Sequence, residues 1–221
     1  MEAEETASDS KLLPLDKLSE ESRELTLSVT KQPTFELDLG PHQLEGSKAA
    51  FEYLLDHLEL CAIAGRALHV GNYKSRREKD GRLFGDDGEG ATGYLSFLYE
   101  ADGKRVFFVD GQQKGIFTVG GHSIGVLDYA PAADVKSKLE YKLHLWVRVD
   151  NRFFAFLSRL FLSKSKSTAT RQFTKMLSIP VGVTQKIHDD PKAVIREFDA
   201  LDKTERETLG ELRALVEQSM R

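Results

Sequence analysis

Strict alternation marks residues 138–149, "KLEYKLHLWVRV". Leu139, Tyr141, Leu143, Leu145, Val147 and Val149 share one face, and Glu140, Lys142, His144, Trp146 and Arg148 share the other. A period of two is the signature of a half-buried strand. Trp146 is then the one large apolar ring on an otherwise polar face. Further strand-like segments precede it at 66–74, 93–100, 104–111, 114–119 and 122–130. The links between the middle ones are two or three residues long, which predicts antiparallel neighbours, because parallel crossovers need a dozen residues or more.

Upstream, "RELTLSVTK" (23–31) alternates Leu25, Leu27 and Val29 with Thr26, Ser28 and Thr30, and reads as a strand. "PTFELDLG" extends or follows it, up to a break at Gly40-Pro41. Residues 43–65 carry Leu44, Phe51, Leu54, Leu55, Leu58 and Ala62 at helical spacing and form one helix or two short ones. After the last strand, Asp150 suits an N-cap. Phe153, Phe154, Leu157, Leu160 and Phe161 then begin a helical stripe that continues through Phe173 and Leu177, predicting a long helix over 152–178. Pro180 and Asp190-Pro191 mark breaks. Residues 192–219 predict one more amphipathic helix.

The order is strand, helical region, six strands, long helix, extra helix. With "YKLHLWVRVDNRFFAFLSRLF" as final strand, turn and helix, the chain resembles the START-like, or helix-grip, superfamily over residues 23–190. That group includes lipid-transfer domains, polyketide aromatase/cyclases and the birch-pollen allergen family. The resemblance implies an α+β helix-grip fold: a curved seven-stranded antiparallel sheet wrapped around a long C-terminal helix. It also implies a cavity between sheet and helix for a hydrophobic or amphipathic, lipid-like ligand. Candidate wall residues are Tyr94, Phe108, Tyr141, Leu145, Phe153 and Leu157. The same residues suit a solid core, because an apolar period reports burial and not what lies beyond it. The superfamily has no sharp motif and transfers no catalytic residue. Residues 1–21 are read as a disordered acidic segment, 22–190 as the helix-grip domain and 191–221 as an additional helix, which is one candidate cover for Trp146.

Composition changes this picture little. The 221 residues are 40% hydrophobic and 30% charged, with a net charge of −4. Nucleic acid is not an expected partner. No apolar run approaches the roughly 18–20 residues of a spanning helix, the N-terminus lacks the features of a signal peptide, and a single cysteine forms no internal disulfide. A cytoplasmic location is expected. Charge is uneven, however: residues 151–186 hold seven bases and no acid. Arg159, Lys164 and Lys166 are therefore candidate contacts to an anionic membrane or an acidic protein, or they are simply the solvent face of a gripped helix.

Chemistry-bearing motifs are sparse. "GHSIG" (121–125) matches the Gly-x-Ser-x-Gly elbow of α/β-hydrolases, with Ser123 as nucleophile and Asp128 or Asp150 and then His188 as partners. No helix is predicted after Ser123, so a hairpin is the competing reading. "GRLFGDDGEGATG" (81–93) offers Asp86, Asp87 and Glu89 but no EF-hand spacing, and reads as a solvated loop or a flap. The histidines show no paired metal-ligand spacing, and neither metal nor cofactor is expected. A non-enzymatic ligand-binding domain leads. A cyclase- or hydratase-like enzyme on the same scaffold and a protein-interaction domain with a filled core are the alternatives.

Overall fold

The computed structural model describes residues 12–101, 103–115, 118–133, 137–150 and 162–220. Its first helix, α1 (Glu20–Thr30), replaces the strand expected at 23–31. Ser19 decides this locally: its side chain accepts from the Ser22 amide at 3.2 Å, and Glu20 and Glu21 complement the positive end of the first turn. The buried positions are Thr26, Val29 and Thr30, at helical spacing. The Leu25/Leu27/Val29 alternation is real in the sequence and unused in the fold.

Strand β1 (Phe35–Glu45) runs through Gly40-Pro41 instead of stopping there. The extra length is absorbed by a register shift between Leu39 and His42 against the last strand. Two short helices follow, α2 (Lys48–Asp56), capped by the Ser47 side chain, and α3 (Leu58–Ala67). Residues 66–74, expected as a strand, instead hold the end of α3 and a turn. A short strand β2 (Lys74–Arg77) pairs with β3 (Leu83–Asp86), which lies within the loop or flap expected at 81–93. Then come β4 (Ala91–Ala101), β5 (Lys104–Gln113), β6 (Val119–Pro131) and β7 (Lys138–Val149). No separate strand forms at 114–119; Val119 opens β6.

The sheet order is β1-β7-β6-β5-β4-β3-β2, antiparallel throughout and not closed. Helix α4 (Leu162–Asp189) crosses the concave face and continues past Pro180. The architecture is therefore α+β and helix-grip-like, with seven antiparallel strands and a C-terminal helical region. Residues 191–218 make three short helices, not one: α5 (Pro191–Asp199), α6 (Lys203–Thr208) and α7 (Gly210–Gln218).

Both faces of the sheet are buried. On the concave face Phe35, Leu37, Phe107, Leu127, Leu143 and Leu145 pack with Phe51 of α2 and Leu177 of α4. On the convex face Val106, Ile124, Val126 and Trp146 pack under Leu13 and under Val29 of α1. Lys104 Nζ donates to the Leu12 carbonyl at 3.1 Å, and Arg148 donates to the Ser28 carbonyl. The cover of Trp146 is thus N-terminal, and the C-terminal helices lie elsewhere. Phe198, Leu209, Leu212 and Val216 join Cys61 of α3 and Val183 of α4 in a separate cluster.

Candidate functional site

The concave face is built in rows, because antiparallel pairing sets one inward residue from each strand side by side. One row is Phe97, Phe107, Gly125, Leu145 and Leu37. It is solid. The Phe107 ring fills the space over Gly125, so a Cβ there would come within 2.2 Å of it. The next row is Leu83, Leu95, Val109, Ser123 and Val147. Beyond that, Gly85, Gly93, Gly111 and Gly121 stand directly opposite one another across β3, β4, β5 and β6. Four adjacent positions there project no side chain.

A cavity of about 270 Å³ lies over this glycine row. Its roof is Ala169, Phe173, Met176, Ile179 and Pro180 of α4, and Leu58, Cys61 and Ala62 of α3 close one side. No charged residue lines it among the described residues. Its polar side chains include Ser123, Tyr73, Gln113 and Gln172. Burial raises the titration of the Tyr73 phenol and the Cys61 thiol, so both are neutral at physiological pH. At one end Gln172 of α4 donates to Gln113 of β5, and Lys175 pairs with Glu89 at 2.6 Å. The hydrogen bond from Lys175 lowers the Glu89 carboxyl.

The wall residues expected from the sequence are scattered by this geometry. Tyr141 and Leu145 do face α4, but they belong to the filled half of the concave face and do not border the cavity. Phe108 is on the convex face, stacked on the His122 ring at 5.5 Å. Tyr94 borders the cavity, yet alternation aims its ring to the convex side, where it meets Phe84 at 5.4 Å and Arg82 at 4.5 Å. Phe153, Leu157 and Arg159 lie outside the described residues, as does the side chain of Lys164. Lys166 is half-buried on α4. The residues missed were Leu95, Val109, Phe173, Met176 and the four glycines.

Ser123 lines the cavity from the middle of β6, between Val109 and Val147, and not on a strand-to-helix turn. The adjacent His122 points to the other face, with Nδ1 at 2.9 Å from Asp150. His188 lies beside Glu45 and Asp189, beyond the Pro131 end of the sheet. Eight strand residues from Ser123 to Pro131 span roughly 26 Å. The hydrolase triad is therefore not assembled. The loop acids are likewise occupied: Asp87 accepts from the Glu89 and Ala91 amides, at 2.7 and 2.9 Å, and Asp86 accepts from Gly88. Glu45, His188 and Asp189 form an exposed group of possible metal ligands, with Glu45 already paired to Lys138 at 3.2 Å. No helix among the described residues is long and apolar enough to cross a membrane.

Comparison with protein-family models and with curated protein sequences finds no match. Solved structures superpose on the chain in part. A conserved protein from Geobacillus kaustophilus superposes with a TM-score of 0.47 at 12% identity, over 68% of this chain and 95% of that one. A hypothetical protein from Helicobacter pylori gives 0.45 at 10%, over 72% and 93%. The di-domain ARO/CYC BexL, from the BE-7585A biosynthetic pathway, gives 0.41 at 14%, over 83% of this chain and 59% of that one. At these identities and TM-scores none of them bears on function.

Proposed function

We propose that this chain binds a hydrophobic or amphipathic, lipid-like small molecule between the sheet and α4, without transforming it. The observation that carries this reading is the row of Gly85, Gly93, Gly111 and Gly121. It leaves a cavity where the row two steps away is filled by Phe97, Phe107, Leu145 and Leu37. Strand-interior glycines cost stability and pack nothing, and they recur where something else must approach the backbone. A concave apolar site with a few polar groups suits a small organic ligand.

The test uses the neutral fluorescent probe N-phenyl-1-naphthylamine. Binding should be micromolar or tighter, about 8 kcal/mol. Gly111→Leu should then weaken it at least ten-fold. A Cβ at Gly111 meets only ordinary contacts, the closest at 3.4 Å, so the leucine can enter the cavity without forcing the backbone. Its burial should leave the urea midpoint unchanged or raise it. No probe binding, together with native mass spectra of the bare chain only, would favour the interaction-domain reading.

The basic stretch 151–186 supports a second element of the proposal, ligand exchange at anionic membranes. A basic residue near such a surface contributes about 1 kcal/mol, so Lys166→Glu should slow probe transfer from anionic vesicles about five-fold or more. Transfer from neutral vesicles should not change. Equal rates for both proteins on anionic vesicles would remove this element.

A further inference from the structure

We infer that the cavity selects an uncharged ligand and holds that ligand's polar group on the Ser123 hydroxyl, at the cavity's closed end. This rests on the binding reading above and adds the ligand's charge class and orientation. Ser123 is only 6% exposed and lines the cavity. Its cross-strand neighbours, Val109 and Val147, have apolar side chains. A ligand that displaces water from this hydroxyl either replaces its hydrogen bond or leaves it unpaired at a cost. The hydroxyl therefore favours a ligand with a polar group in reach.

The position of Ser123 fixes the direction. On one side of its row is the solid row holding Phe107 and Leu145, and on the other is the glycine row under the empty space. A ligand bonded to Ser123 therefore has its polar group against the filled half and its apolar body over the glycines. A serine hydroxyl donates one bond and accepts others, which suits an alcohol, a carbonyl or an ether. An ionised group is disfavoured there. Burying a carboxylate needs a compensating charge or several donors, and the described wall provides no cation. Lys175 is at the Gln113–Gln172 end and is already engaged by Glu89.

The experiment measures displacement of N-phenyl-1-naphthylamine by decane, 1-decanol and decanoate at pH 8. 1-Decanol should displace the probe at least ten-fold more tightly than decanoate, a comparison that needs no variant. Ser123→Ala should weaken 1-decanol roughly five- to ten-fold, the size of one buried hydrogen bond. Decane should act alike on both proteins. The urea midpoint of ligand-free Ser123→Ala should be equal or higher, because the cross-strand side chains beside it are apolar. Ser123→Thr, which keeps the hydroxyl, should retain the 1-decanol preference. Decanoate binding as tightly as 1-decanol, or 1-decanol unaffected in Ser123→Ala, overturns the inference while leaving the binding reading intact. Failure of the probe itself to bind overturns both.

Discussion

Trp146→Ala should destabilise the protein by about 3–5 kcal/mol, a large share of the roughly 5–15 kcal/mol that holds a domain together. Trp146 has 0% exposure on the convex face, surrounded by Leu13, Val29, Val106, Ile124 and Val126. The His144 ring packs on it at 4.1 Å. Removing the indole opens the interface between the sheet and the segment that covers it. That segment is also held by the Lys104 bond to Leu12 and the Arg148 bond to Ser28. Trypsin should therefore cut faster at Lys17, Arg23 and Lys31 in the variant. The indole N–H is itself buried without a partner. Trp146→Phe discards that unpaired donor with part of the ring and should lose distinctly less stability. Urea unfolding followed by far-UV circular dichroism measures all three proteins. A loss below about 1 kcal/mol in Trp146→Ala would show that the N-terminal cover does not pack on this ring.

The same ring shows what a sequence can and cannot state. Alternation in β7 placed Trp146 on the face away from α4, and Leu145 toward it, because one strand's pleat is a local property. What covers Trp146 is not local: Leu13 and Val29 come from more than a hundred residues away. The β4–β5 hairpin was legible from its short link and apolar runs, and the antiparallel order extends to β7; the links expected at 112–113 and 120–121 instead fall inside β5 and β6. β2 and β3 were hidden by Arg76, Arg77 and Asp86, since such short strands near the sheet's edge bury little; only Leu83 is buried there. α1 was misread because its sequence satisfies two periods at once, and the Ser19 cap breaks the tie.

For the cavity the limit is different. Tyr94 and Phe108 could not be oriented, because β4 and β5 carry apolar residues on both sides. The convex face turned out to be covered as well, which erases the polar alternation. The informative signal was the absence of side chains. Gly85, Gly93, Gly111 and Gly121 fall opposite one another once the three hairpins are folded about their turns. Read singly, each glycine belongs to a turn or a weak strand. Only the register of four strands makes them a cavity floor.

Leu145→Ala should cost about 2–5 kcal/mol. Leu145 is 0% exposed and belongs to the filled row, opposite Gly125 on one side and Leu37 on the other. The Phe107 ring occupies the space above Gly125 and leaves no room for neighbours to slide in behind a lost side chain. The cost is therefore a transfer term plus an uncollapsed void. A variant in the cavity wall behaves otherwise. Val109 borders space that is already empty, so Val109→Ala loses contacts on one side only and should cost less than Leu145→Ala. The comparison separates the two halves of the concave face by energy and not by shape. It also predicts ligand responses: a saturating probe should raise the urea midpoint of Leu145→Ala as much as that of the native chain, because its binding site is intact. A cost for Leu145→Ala no greater than for Val109→Ala would mean that the filled half is not filled, and the cavity would have to extend across the row that bounds it.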